Sequence, residues 1–262
     1  MPSSPDTADR DVSSSASRAC VTGAPRQAPP GGIMAYRKYY REHVRPRLYS
    51  PARHAVVHLG SALAGCAWAG TRLANVSLSE WLLVPAGLVV SSLFVHWFHR
   101  HVLHRPRFLL RRAYELHTLQ HHRFFDYEHL APDEREDLHI VLFPWFAGPA
   151  LLLATVLLSH LLAPFIGSNH AYLLMLVANG YLLAYEAVHS VDHLPDNHVL
   201  LRAPMLAFLR EHHRLHHDPA LMGSHNFNVV LPLFDWTFGT GTRSRAREPA
   251  SRAGEQQKRC DG

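Results

Sequence analysis

Four stretches of this chain, residues 55–74, 81–98, 140–162 and 171–188, read as membrane spans, and they restrict the fold more than anything else in the sequence. A helix needs ~20 mostly apolar residues to cross the hydrocarbon core, where its backbone polar groups must be satisfied within the segment. The first stretch is the least uniform, with His58 inside it and Arg72 near its end. Soluble core helices are seldom so continuously apolar. The expected fold is all-α and integral to a membrane, with about four transmembrane helices.

The connections set the topology. Residues 75–80 and 163–170 are short and hold no Lys or Arg, so the spans form two hairpins whose tips point the same way. The opposite side receives Arg37, Lys38, Arg41, Arg45, Arg47 and Arg53 before the first span. It also receives Arg100, Arg105, Arg107, Arg111 and Arg112 after the second, and Arg202, Arg210 and Arg214 after the fourth. The positive-inside rule puts both termini and the large loop in the cytoplasm. Tyr36, Tyr39, Tyr40 and Tyr49 among the first of these cations suit an interfacial segment. The net charge of +5 is therefore read as span flanks, with no nucleic-acid partner. Residues 1–34 and 241–262 are too poor in apolar side chains to bury a core and are expected to be disordered tails around one domain, 35–240. Cys20, Cys66 and Cys260 have neither a metal nor a disulfide spacing, as in a reduced, cytosol-facing chain.

The chain holds 22 histidines, more than a core or a surface usually needs. His99 and His104 follow the second span, and His117, His121 and His122 lie in the large loop. His189 and His193 leave the fourth span, and His213, His216 and His217 come soon after. All fall on one expected face of the membrane, although the topology used only apolar length and Lys/Arg. On a helix, residues three and four apart share a face, so each cluster aims two or three imidazoles at one place. His99 and His104 fit least well: five apart is about 140° round an ideal helix. They need a bend, an unwound turn or one ion each, and His96 and His101 are the alternatives. Neutral imidazole is the commonest transition-metal ligand. Ten of them exceed what one ion can use, so two ions are expected, and imidazole alone does not choose between iron, zinc, copper and nickel. Asp192, Asp126, Glu115 and Glu211 lie near the clusters as candidate partners of the outward ring nitrogens, ahead of His129, His139, Asn226 and His225. His212 has no assigned role beyond supporting a ligand or facing solvent.

These motifs resemble the fatty acid hydroxylase superfamily, which includes sterol desaturases, C4-methyl oxidases and carotenoid hydroxylases. The resemblance rests on His99-(x4)-His104, His117-(x3)-His121-His122, His189-(x3)-His193 and His213-(x2)-His216-His217. The closing stretch, Asn226-Phe-Asn-Val-Val-Leu-Pro-Leu-Phe-Asp-Trp-Thr-Phe-Gly239-Thr240, adds to it, and together they cover residues 36–240. Many members have two residues, not three, inside the second motif, a departure that bears on His117. The resemblance implies a cytosolic helical cap holding two iron ions, with zinc as a substitute in purified samples. It also implies O2 as co-substrate, a lipid substrate and the ten histidines as ligands.

No electron carrier is fused to the chain: there is no GxGxxG and no Cys cluster, and Pro29-Pro-Gly-Gly32 has no His beside it to bind haem. A separate donor is expected, a ferredoxin or a b-type cytochrome with its reductase. The expected reaction is hydroxylation of a lipid C–H bond. The enzymatic alternative is desaturation or sterol methyl oxidation with the same metals. A metal transporter would place its ligands near the bilayer midplane, whereas these clusters sit at span ends. A structural zinc site is four-coordinate and often uses Cys, which ten His and no paired Cys do not match.

Overall fold

The computed structural model describes residues 31–243, and within them the chain is helical with no strand. The two expected tails fall mostly on 1–30 and 244–262, outside the described residues, as do Cys20 and Cys260. Helix α1 (Ile33–Tyr39) already begins inside the stretch assigned to the first tail. Four long helices follow: α2 (Pro51–Arg72), α3 (Leu83–Phe98), α4 (Ala147–Ile166) and α5 (Ser168–Asp192). Two shorter ones close the fold, α6 (Pro204–His216) and α7 (Leu233–Thr237).

Three of the four expected spans are long and apolar enough to cross a membrane: Leu78–Leu103, which contains α3, then α4 and α5. α2 has the length, 22 residues, but is less apolar, with Arg53, His54, His58 and Arg72 along it. Its start is set by Ser50, whose hydroxyl accepts the Arg53 N–H at 3.3 Å, and by Pro51 in the first turn. The third span begins at Ala147, not at 140. Leu142 is extended, and Pro144 has no N–H to continue the short turn Leu138–Val141. The fourth is longer than expected, so α5 carries His189 inside its last turn and His193 at its cap.

α5 is the central helix and packs on α2, α3, α4 and α6. Small residues and paired polar groups make the close approaches, as in membrane helix packing. A Cβ at Gly65 of α2 would lie 2.5 Å from the Asn179 Oδ1 of α5, and one at Gly148 would run into the His58 carbonyl. The Asn179 amide donates to the Thr155 hydroxyl of α4 at 3.0 Å. The α4–α5 connection is Gly167 alone, at φ 88°, a conformation glycine adopts at no steric cost. It is tied to the α2–α3 connection through Asn169, which exchanges two hydrogen bonds with the Ala74 backbone at 2.9 and 3.1 Å. The two connections thus lie together. α3 and α5 run away from them, toward the histidines.

Candidate metal centre

Two π-helical turns position the first two histidine motifs. α3 runs directly into one, His99–Leu103, and the large loop contains the other, Glu115–His121. In a π turn the backbone bond spans five residues instead of four. The His104 N–H donates to the His99 carbonyl at 3.2 Å, and the His122 N–H reaches the His117 carbonyl. Residues five apart therefore come to one side. The His99 and His104 rings stack with centroids 5.1 Å apart, and those of His117 and His122 lie 4.7 Å apart. This resolves the least regular spacing in the sequence without recourse to His96 or His101.

The ten expected ligands converge, but in two groups that cut across the motifs. His99, His104, His117, His122 and His216 form the first, and His121, His189, His193 and His213 the second, with ligand atoms in each group all within 4.8 Å of one another. His217 joins the second group at its edge, its Nε2 3.1 Å from that of His213 and 3.2 Å from that of His121. The expectation that each motif serves one place is corrected here. His117 and His121 are divided between the groups because the π turn pairs His117 with His122. His213 and His216 are divided because α6 passes between the groups.

The outward nitrogens fix the inward ones. The Nδ1 atoms of His99, His121, His193, His216 and His217 face the carbonyls of Phe227, Ile140, Leu130, His225 and Phe125 at 2.5, 2.8, 2.7, 2.8 and 3.0 Å. A carbonyl only accepts, so each Nδ1 carries the proton, and each neutral ring turns an Nε2 lone pair inward. His121 and His217 then present lone pair to lone pair across 3.2 Å. Such a contact is repulsive unless a cation lies between. Burial disfavours a proton there: it pushes His121 and His216 down to about 4 against the pull of their carbonyls. His104, His117, His122, His193, His213 and His217 are likewise lowered, by burial first and by neighbouring imidazoles next. A metal ion fits. Two nitrogens ~2.1 Å from one ion and at right angles are about 3.0 Å apart, against about 3.4 Å at the tetrahedral angle. The closest Nε2 pairs of the first group lie 2.8, 3.0, 3.1 and 3.2 Å apart, nearer the right-angled arrangement.

A carboxylate absent from the expected partners supports the first group. Asp235 of α7 is fully buried. Its Oδ1 accepts the Phe227 N–H at 2.9 Å and the Thr240 hydroxyl at 2.7 Å. Its Oδ2 accepts the Asn228 N–H at 2.7 Å and the His212 Nε2–H at 3.0 Å. Burial alone would raise this carboxyl, but His212, the Asn228 N–H and Thr240 outweigh it and hold it at about 2. Asp235 thereby sets the backbone of Phe227, the residue whose carbonyl holds His99. His212 gains its role here, and His96 donates to the Thr240 hydroxyl at 3.0 Å. Neither faces the groups.

Of the four carboxylates expected near the ligands, Asp192 alone is buried, with no hydrogen-bond partner for either oxygen. Asp126 binds His129 and local N–H groups, Glu115 pairs with Arg111 and Arg112, and Glu211 pairs with Arg214. Asn226, at φ 57°, closes the last segment onto Thr242 and the His212 carbonyl. His139 bonds Tyr40, and His225 contributes its carbonyl to His216. One sequence signal does mark Asp235: it is the lone charged residue between Asn226 and Thr240. No protein-family model, no curated protein and no solved structure matches the chain.

Proposed function

We propose that this chain is a membrane-bound oxidoreductase that holds one iron ion in each histidine group and hydroxylates a lipid C–H bond with O2 and external electrons. The observation that carries the metal reading is the facing of two Nε2 lone pairs, His121 and His217, in a buried site where protonation is disfavoured. Five imidazoles in the first group at near right-angled separations suit a six-coordinate ion with a position to spare better than tetrahedral zinc. An iron pair would supply the redox chemistry for an unactivated C–H bond, which no side chain offers. The resemblance of the four motifs to the fatty acid hydroxylases favours iron and a lipid.

The chain's own part is placement. Backbone carbonyls of Phe227, Ile140, Leu130, His225 and Phe125 lock five rings in one tautomer, so their Nε2 atoms need no reorganisation to bind. Burial keeps the imidazoles neutral and water away. In this reading α2 also crosses the bilayer, giving four spans in two hairpins. Their tips meet through Asn169 and Ala74, and the arginine-rich ends, both termini and the histidine cap lie on the cytosolic side. Electrons come from a separate ferredoxin or b-type cytochrome.

Metal analysis of purified protein after iron reconstitution tests the centre, and fewer than two ions per chain would overturn the dinuclear reading. Comparative lipidomics of cells with and without the gene tests the reaction. A lipid heavier by one oxygen is expected, and loss of two hydrogens would assign a desaturase instead.

A further inference from the structure

A cavity of about 670 Å³, within the ~300–1,000 Å³ of small-ligand sites, reaches the residues that support the second histidine group, though no ring of that group lines it. Gln120 and Ile140 line it, and His121 follows Gln120 in sequence and donates its Nδ1–H to the Ile140 carbonyl. Its depths are buried, with Ile140 and Leu142 beside Tyr40 and His54. The polar atoms there are satisfied locally. Tyr40 bonds His139 at 2.5 Å, Tyr49 bonds His54 at 2.9 Å, and the His54 Nε2–H reaches the Phe143 carbonyl at 2.8 Å. What remains for an occupant is apolar.

The mouth has a different character. Leu48, Trp145 and Phe146 line it while 87, 59 and 51% exposed, an apolar rim suited to the membrane interface. Arg53 and Arg112 stand beside them, both exposed. Arg53 bonds the Leu48 carbonyl at 3.1 Å and has no carboxylate partner among the described residues, and Arg112 makes a 3.4 Å contact with Glu115. Among the described residues, none that lines the cavity is acidic.

We propose that this cavity binds a single-chain lipid with an anionic head group, its chain on Ile140 and Leu142 and its head held by Arg53 and Arg112. The volume suits one chain, the rim suits entry from the bilayer, and the cations at the mouth select the head: among the described residues Arg53 has no carboxylate partner and Arg112 is held only by Glu115 at 3.4 Å. The proposal rests on the lipid reading above and narrows it, setting aside neutral sterols and carotenoids.

The test uses the full-length chain in nanodiscs of phosphatidylcholine, with an alkyne-tagged photoreactive palmitate as probe and the cross-linked peptides mapped. Labelling within residues 140–146 is expected, displaced by palmitate or by hexadecyl phosphate at concentrations about tenfold or more below those of hexadecanol. The two anionic competitors distinguish a carboxylate from a phosphate head. The double variant Arg53→Gln/Arg112→Gln should erase the advantage of both anions, and Val57→Trp, which fills the wall, should abolish labelling. Equal competition by hexadecanol, an anion preference that survives the double variant, or labelling unaffected by Val57→Trp would overturn the proposal. Binding is read without turnover. Lost labelling with two ions in place would sink this inference alone, and intact labelling without metal would sink the dinuclear reading alone.

Discussion

Replacing Asp235 by Asn should unload one metal site while sparing the other. The carboxylate accepts four hydrogen bonds and is fully buried. An amide accepts on one side only. Turned toward Oδ1, its NH2 faces the Phe227 N–H and the Thr240 hydroxyl. The hydroxyl can rotate to accept, but the N–H is stranded, at a cost of ~1–3 kcal/mol. Turned toward Oδ2, it faces the Asn228 N–H and the His212 Nε2–H. The surviving bonds lose their charge assistance, which brings the total to roughly 3–5 kcal/mol, a large share of a typical folding stability. The damage is directional. Phe227 carries the carbonyl that holds His99, so the first group loosens. The second group hangs on Ile140, Leu130 and Phe125, which Asp235 does not touch. The variant should melt of order 10 °C lower and retain about one ion per chain by elemental analysis. A variant that melts with the wild type and keeps two ions would refute the role assigned to Asp235, and equal loss from both sites would refute the direction.

Changing His121 or His216 to Ala should abolish turnover and remove metal from the second and first group respectively, whereas His160→Ala and His170→Ala, at half-exposed rings remote from both, should leave product formation unchanged. The metal-free protein should lose stability as pH falls from ~6.5 toward 4. His121 and His216 bind their protons near 4 when folded but near 6.5 when unfolded, so the unfolded chain takes up more protons in that window; denaturant midpoints across pH read this, and a flat profile contradicts it. Deleting Val102 from the π turn should restore α geometry with His99 and His104 four apart and still on one face, so the first group keeps its metal; selective metal loss from that group would show that the π turn does more than align the two rings.

The convergence of the ten imidazoles was legible because so many at span ends have few other uses, and three of the four expected spans because apolar length is a one-dimensional property. The division of ligands was not, since helical periodicity puts His117 and His121 on one face and the π turn undoes that pairing. The role of Asp235 was hidden for a different reason. Its partners His212, Phe227 and Thr240 meet it only once the last segment folds back under Asn226, whose left-handed backbone turns the chain. The start of α4 could have been read from Pro144, which interrupts the third apolar stretch.

The crossing of the motifs between the groups has its own consequence. Segment 115–122 and helix α6 each hand ligands to both groups, so the two sites share the same struts. In the metal reading proposed above, an ion entering one would stiffen the walls of its neighbour. An iron titration of the wild-type chain should then run from empty to full with few half-loaded chains between, whereas a variant lacking one site should fill the other only at higher iron.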